Sequence, residues 1–167
     1  MQNGKLYIAE ALFSLMQYKS LENISVKELV KKAGVSRMTY YRYFSSKEEI
    51  LACYLEHILS EYEKQVDSSH SSSFHSYEHV LSSLLFFQIY KTFALCLRDA
   101  GMESLLLDAL NDYVKKQSGF DAEKPVRAYS YYFYAGALFN VYMQWILEDT
   151  TTPATELASI ISKISLL

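Results

Sequence analysis

Glycine and proline are scarce, with five and two in 167 residues. That scarcity excludes collagen-like, linker-like and turn-rich all-β chains. Cysteine is nearly missing as well: Cys53 and Cys96 make no disulfide framework, and no basic-then-apolar leader opens the chain. A cytoplasmic protein is therefore expected. The chain also lacks a Gly-rich phosphate loop, a nucleophile elbow and a paired His-Glu zinc motif, so neither an enzyme nor a cofactor is expected. Strand-length alternation and internal repeats are missing too, which leaves helix as the one regular element.

What is present is apolar and aromatic. Half the residues are hydrophobic, and 15 Tyr and 9 Phe stand against a single Trp. This is enough apolar surface for a real core, and too much for a disordered chain. The net charge of −3 conceals an asymmetry. Residues 1–47 hold Lys5, Lys19, Lys27, Lys31, Lys32, Arg37, Arg42 and Lys47 against only Glu10, Glu22 and Glu28, so that this head carries +5 and the remainder −8. A basic head on an acidic body is what a protein needs when only one end meets DNA.

The patterns predict helices throughout. Ile8, Leu12, Leu15 and Met16 mark the first, over 5–18. Ser25-Val26-Lys27-Glu28 reads as a capping box opening a second helix, and Gly34 stands where a left-handed residue would end it. A third helix starts at Ser36. A second box, Ser46-Lys47-Glu48-Glu49, opens a long fourth helix to about Gln65. Further helices are predicted at about 77–98, 103–117 and 124–148. Thr152-Pro153 reads as an N-cap followed by proline at the first helical position. The Ser-rich stretch DSSHSSSFHS, 67–76, is the one low-complexity segment, so the chain divides into a head, 1–62, and a body, 63–167. The expected fold is all-α.

Several residues admit two readings. His70, His75 and His79 crowd together, but no carboxylate or thiol completes a set at obvious spacing, and no metal site is expected. Cys53 and Cys96 fit small apolar helix positions better than redox sensors. Ala128 to Leu147 is uncharged for twenty residues, the length of a membrane span. Its five tyrosines and its Asn140 and Gln144 suit a buried helix better. The aromatic run from Tyr129 to Tyr134 falls on every face of such a helix, which favours core and interface over one shared pocket. If a ligand cavity exists, Phe86, Tyr90, Arg98, Tyr132, Phe139 and Tyr142 are the candidates to line it, with Arg98 or Arg127 available for an acidic guest.

The segment with the sharpest functional pattern is 25–44. A capped helix, a tight turn at Ala33-Gly34-Val35 and a short helix beginning at Ser36 make a helix-turn-helix, whose second helix enters a major groove. Val35 and Phe44 are expected to turn inward. The candidate DNA contacts are Ser25, Lys27, Ser36, Arg37, Met38, Thr39, Tyr41, Arg42 and Lys47. They supply guanidinium forks for guanine edges, hydroxyls and cations for phosphates, and apolar groups for thymine methyls.

The run AGVSRMTYYRYFSSKEEIL, 33–51, resembles the head of the TetR family of bacterial transcriptional regulators. Ala33, Gly34, Val35, Ser36, Thr39, Tyr41, Phe44 and Lys47 fill its pattern, and Ile24-Ser25-Val26 with Leu29 matches its entry. The resemblance covers residues 5 to about 60. It implies a homodimer on a palindromic operator, a body that dimerises, and a ligand-responsive repressor. By the same pattern Thr39, Tyr41 and Lys47 would touch backbone or bases, Arg37 and Met38 would vary with the operator, and Tyr40, where the family usually has a Leu-like residue, would be either core or a groove contact, with core favoured. Lys19-Ser20-Leu21-Glu22-Asn23 replaces the family's usual glycine turn, and the body is short. Those departures, with Phe133, Gly136 and Trp145-Ile146, are similar to a small-bodied subgroup of the dihydroxyacetone kinase coactivator type. That likeness keeps a second reading open: a coactivator whose body binds a protein partner, with no classical inducer pocket. For the dimer, the last two helices are expected to pair with their mates through Tyr134, Leu138, Trp145, Leu157, Ile160, Ile161 and Ile164.

Overall fold

The computed structural model describes residues 2–67, 76–118 and 125–164. Among these the chain forms nine α-helices, one 3-10 turn and no strand, in agreement with the all-α expectation. The head is α1 (Gln2–Met16), the 3-10 turn Leu21–Asn23, α2 (Val26–Ala33), α3 (Arg37–Tyr43) and the first part of α4 (Lys47–Asp67). The body adds α5 (Tyr77–Ile89), α6 (Lys91–Asp99), α7 (Ser104–Ser118), α8 (Pro125–Leu147) and α9 (Ala154–Ile164). In the head, α1 packs against α2 and α4; in the body, α5 packs on α9 and α7 on α8.

Apolar spacing explains the head. Ile8 and Leu12 of α1 meet Leu29 of α2 and Ile50 and Leu51 of α4, and all five are fully buried. Each such side chain stabilises the fold by roughly 1.5–3 kcal/mol relative to exposure, before the entropy of ordering it. The first helix begins earlier than its periodicity suggests and stops at Met16, two residues before the expected end.

Other boundaries also move. The predicted helix over 77–98 is two helices: α5 and α6 meet at Tyr90 with a bend of 67°. The Tyr90 N–H bonds to the Phe87 carbonyl at 3.0 Å, a three-residue step that breaks the four-residue ladder. Ser25 caps α2 as expected, accepting from Glu28 N at 3.2 Å, but the Glu28 carboxylate takes Lys19 Nζ at 2.7 Å instead of reaching back. Ser46 likewise accepts from Glu49 N at 3.2 Å, while the Glu49 carboxylate takes the N–H of Ser45 at 2.7 Å, one residue earlier than a regular box. Pro153 is the residue before α9 and not its first turn, and its carbonyl accepts from Leu157 N at 3.0 Å.

The α8–α9 turn carries two non-glycine residues in left-handed backbone, Asp149 at φ 54° and Thr150 at φ 56°. It is pinned from outside: Lys91 binds Asp149 at 2.7 Å, Gln88 binds Thr150 at 3.2 Å, and the Trp145 indole donates to Thr152 O at 2.8 Å. The first two contacts tie the turn to the α5–α6 corner, the third closes it on α8, and together they offset the backbone strain. Among the described residues no single helix is long and apolar enough to cross a membrane. His70, His75 and most of the Ser-rich stretch lie outside the described residues. His79 is buried, and no group of three metal-ligating side chains occurs among the described residues.

Candidate nucleic-acid interface

The turn between α2 and α3 is built by glycine chemistry. Gly34 has φ 67°, donates to Lys31 O at 3.4 Å, and is followed by Val35 donating to Val30 O at 3.0 Å. This pair of bonds closes α2 in a Schellman motif, a geometry that a residue with a Cβ adopts only under strain. Ser36 then caps α3, accepting from Thr39 N at 3.0 Å, and its hydroxyl also meets the Thr39 hydroxyl at 3.0 Å. The short helix is held at its inner side by Tyr40 and Phe44, which are 3% and 4% exposed. Burial pushes the Tyr40 hydroxyl above its ordinary range, so it stays protonated. Val35 is only half-buried and gives a weaker inward anchor than expected.

With α3 anchored there, Arg37, Met38, Tyr41 and Arg42 point outward; Met38 and Tyr41 are 79% and 63% exposed. Apolar side chains this exposed, beside two guanidinium groups, form a mixed face suited to base edges and phosphates. Arg42 does not extend freely. Its guanidinium lies 4.8 Å from the Tyr43 ring and donates to the Tyr43 hydroxyl at 3.3 Å. Lys5 of α1 stands 6.0 Å from the same ring, and Gly4 lies so close that a Cβ would sit 3.2 Å from Tyr43 Cε2. Tyr43 and Lys5 thus join Arg42 in one basic edge, and neither was singled out from sequence. Nothing local in the chain brings residue 5 to residue 43; only the packing of α1 does.

Lys27 is exposed on α2, and Ser25 is committed to its cap. Lys47 is more constrained than its place in the sequence motif suggests. Its ammonium donates to the backbone carbonyls of Leu21 and Ile24, the latter at 3.2 Å, and so clasps the 3-10 turn that replaces a glycine turn. A third ammonium proton remains for a phosphate.

The candidate ligand residues scatter. Phe139 and Tyr142 line an internal cavity of the body. Phe86 packs in the core beside Tyr62 at 5.2 Å, and Tyr90 packs against Phe86 at 5.2 Å; neither lines the cavity. Arg98 pairs with its neighbour Asp99 at 2.8 Å, and Tyr132 is exposed beneath Lys115 at 5.0 Å. The helical rotation of each residue, which sequence spacing gave only approximately, explains these corrections. The cavity walls that sequence reading missed come from α4, α5 and α7, chiefly Tyr62, His79 and Tyr113.

A similar correction applies to the interface candidates. Tyr134, Trp145, Leu157 and Ile161 are buried within the protomer, and Leu138 packs against the same cluster. Ile160 and Ile164 stay exposed, at 44% and 62%. The outer face of α8 carries Tyr129, Phe133 and Leu147 instead, 73%, 82% and 48% exposed. On α8 the named side chains Tyr134, Leu138 and Trp145 are taken up within the chain itself, with Trp145 and Leu138 packed among residues of α5 and α9.

Comparison with known proteins agrees with this geometry. The family of bacterial regulatory proteins, tetR family, matches residues 8–53. The HTH-type transcriptional regulator EthR of Mycobacterium tuberculosis is 39% identical over 57 residues, 34% of this chain and 26% of that protein. The HTH-type dhaKLM operon transcriptional activator DhaS of Lactococcus lactis is 37% identical over 54 residues, 32% of this chain and 29% of that protein. The matched part of the chain is thus the head alone, and it spans under a third of either relative. Over the whole chain the likeness is one of fold. The dihydroxyacetone kinase operon activator DhaS superposes with a TM-score of 0.66 at 19% identity, covering 98% of this chain and 94% of that one. A transcriptional regulator from Rhodococcus sp. Rha1 gives 0.60 at 17% identity, covering 96% and 94%. Residues 8–53 thus match the head of the tetR family of bacterial regulatory proteins, and the body shares the fold of these regulators.

Proposed function

We propose that the chain is a sequence-specific, DNA-binding transcriptional regulator, acting as a homodimer on a palindromic operator and answering to a ligand in its body as a repressor. One observation carries the DNA reading: α3 is fixed from beneath by Tyr40 and Phe44 while Arg37, Met38, Tyr41 and Arg42 stand in solvent. That is a reading head held at fixed depth. The basic edge of Lys5, Tyr43 and Arg42 and the exposed Lys27 supply phosphate contacts on either side.

The homodimer reading is supported by the apolar outer faces of α8 and α9. Tyr129, Phe133 and Leu147 share one face, with Asn140 and Gln144 between them, and Ile160 and Ile164 lie on α9. Two such helix pairs would meet as a four-helix bundle and set two α3 helices one DNA turn, or a multiple of it, apart. A ligand favouring a wider separation would weaken DNA binding by its differential affinity for the two states.

The coactivator reading draws on a separate feature, the exposed Leu85 and Ile89 one turn apart on α5, 50% and 76% exposed. They offer a protein partner an apolar foothold on the body. Selection from random duplex DNA with the purified protein separates the two. An enriched palindrome supports the self-sufficient dimer. No enrichment from folded protein refutes it and favours partner-dependent action.

A further inference from the structure

The last residue of α3, Tyr43, carries the start of α1 on its ring. The ring is half-buried and lies so close to α1 that a side chain at Gly4 would press on Cε2. Glycine otherwise weakens a helix, so its use here goes with the close approach. Lys5, the next residue, is exposed and stands 6.0 Å from the ring centre, and the Arg42 guanidinium stands 4.8 Å from it. Adjacent residues of a helix do not face each other. Arg42 and Tyr43 meet because the arginine folds back, and its Nη2 also donates to the Tyr43 hydroxyl at 3.3 Å.

The charges at this ring are not neutralised. Lys19, Lys64, Lys91, Arg98, Lys115 and Lys116 each hold a carboxylate, whereas among the described residues Lys5 and Arg42 hold none. Two like charges gathered at one ring favour an anion beside them. A guanidinium donates from its edge, so a ring on its face leaves most of its N–H groups for a bidentate anion. The Tyr43 hydroxyl accepts from Arg42 and keeps its own proton to donate. On a duplex the anion at hand is the backbone phosphate. Position along the helix agrees. A recognition helix turns its N-terminal residues to base edges, and Arg37 begins α3 while Arg42 lies in its last turn.

We propose that Lys5, Arg42 and Tyr43 form a clamp on the DNA backbone, built jointly by α1 and α3. Tyr43 is the positioning residue: it seats Arg42 on a phosphate and away from the base edges, and it brings Lys5 to the same stretch of backbone. Arg37, with no ring beside it among the described residues, is then the arginine of α3 that reads sequence. The clamp rests on the regulator reading above, which it deepens by dividing the labour of the two arginines.

The test uses the full chain and a mixed-sequence duplex, because phosphate contacts need no operator. Binding is titrated against salt, and selection from random duplex DNA is run in parallel. Lys5→Met and Arg42→Met, both at exposed positions, should each lower the salt slope by about one per bound protomer. Arg42→Met should select the same half-site as the parent, whereas Arg37→Met should lose preference at one base position. Tyr43→Leu removes the seat and should lower the slope by itself, leaving Lys5→Met less to remove. Tyr43→Phe keeps the ring and should restore the parent slope. Circular dichroism checks that each variant keeps its helices. An unchanged slope in both Lys5→Met and Arg42→Met, a changed half-site with Arg42→Met, or a folded Tyr43→Leu with the parent slope overturns the proposal. The two readings fail separately. Slopes that fall as expected with no palindrome selected keep the clamp and lose the sequence-specific regulator; a selected palindrome with unmoved slopes does the reverse.

Discussion

Lys47→Met tests whether a residue of the DNA-binding motif also holds the head together. The substitution keeps the long apolar stem and removes the ammonium that clasps Leu21 O and Ile24 O. The two losses are unequal. Leu21 O keeps a bond from Ile24 N at 3.3 Å, whereas Ile24 O depends on the lysine. Leu21 and Ile24 are themselves buried, so water replaces the lost donor poorly. One charge-assisted bond lost in a partly buried place is worth about 2 kcal/mol. For a chain of this length that lowers the melting temperature by about 4–8 °C. Lys27→Met, on the exposed face of α2, should leave it unchanged. In a DNA-binding assay across salt concentrations both variants should reduce the salt slope by about one if each also meets a phosphate. A Lys47→Met protein that melts within about 1 °C of the parent would refute the clasp.

Four further outcomes follow from the geometry. Gly34→Ala should destabilise by about 1 kcal/mol, because nothing lies within 4 Å of the added Cβ and only the φ of 67° resists it; urea unfolding checks this, and an unchanged midpoint contradicts the left-handed turn. Arg37→Ala and Tyr41→Phe should each weaken operator binding, the arginine by about 1–3 kcal/mol, with helicity intact; unchanged affinity in both would remove α3 as the reading helix. Phe133→Glu and Ile160→Asp, both on exposed faces, should give sedimentation as a monomer, and a dimer that survives both changes lies elsewhere. Burial raises the hydroxyl pKa of Tyr62 and of Tyr142, so the unfolded chain releases these protons first. Stability should therefore be fully present below about pH 10 and fall above it, and Tyr62→Phe should reduce that alkaline loss, read from urea midpoints at neutral and alkaline pH.

The head was legible because its signals are local. A capping serine, a glycine at the helix end and a second serine two residues on fix α2, the turn and α3 within a dozen residues, and Phe44 turned inward as expected, while Tyr40, open between core and groove, took the core side. The body was legible only as helix. Whether Trp145 or Phe133 faces out depends on where α5 and α9 lie, which no helical period records, so Trp145, expected on an outer stripe, is buried and Phe133 is exposed. The break at Tyr90 was hidden for the same reason. No proline or glycine marks it, and the corner is held by Lys91 with Asp149 and Gln88 with Thr150, nearly sixty residues apart or more. His79 looked like one of a surface trio because its neighbours in sequence are polar; its neighbours in space are Tyr62 and Tyr113.

Head and body are less separate than a division at residue 62 implies. That position lies inside α4, and one apolar cluster runs from Ile8 and Leu29 through Ile58 and Tyr62 to Val114. Three rings make the join. Phe13 of α1 lies edge-on to Phe93 of α6 at 5.5 Å and stacks on Tyr54 of α4 at 5.8 Å, while Tyr54 meets Phe93 at 5.0 Å. Phe93 is fully buried, so α1, packed chiefly on α2 and α4, is also tied to the body through α6. Packed interiors resist continuous deformation and move between discrete arrangements. The ligand response proposed above therefore requires this aromatic junction to repack, and a head swinging freely on a hinge is not compatible with it.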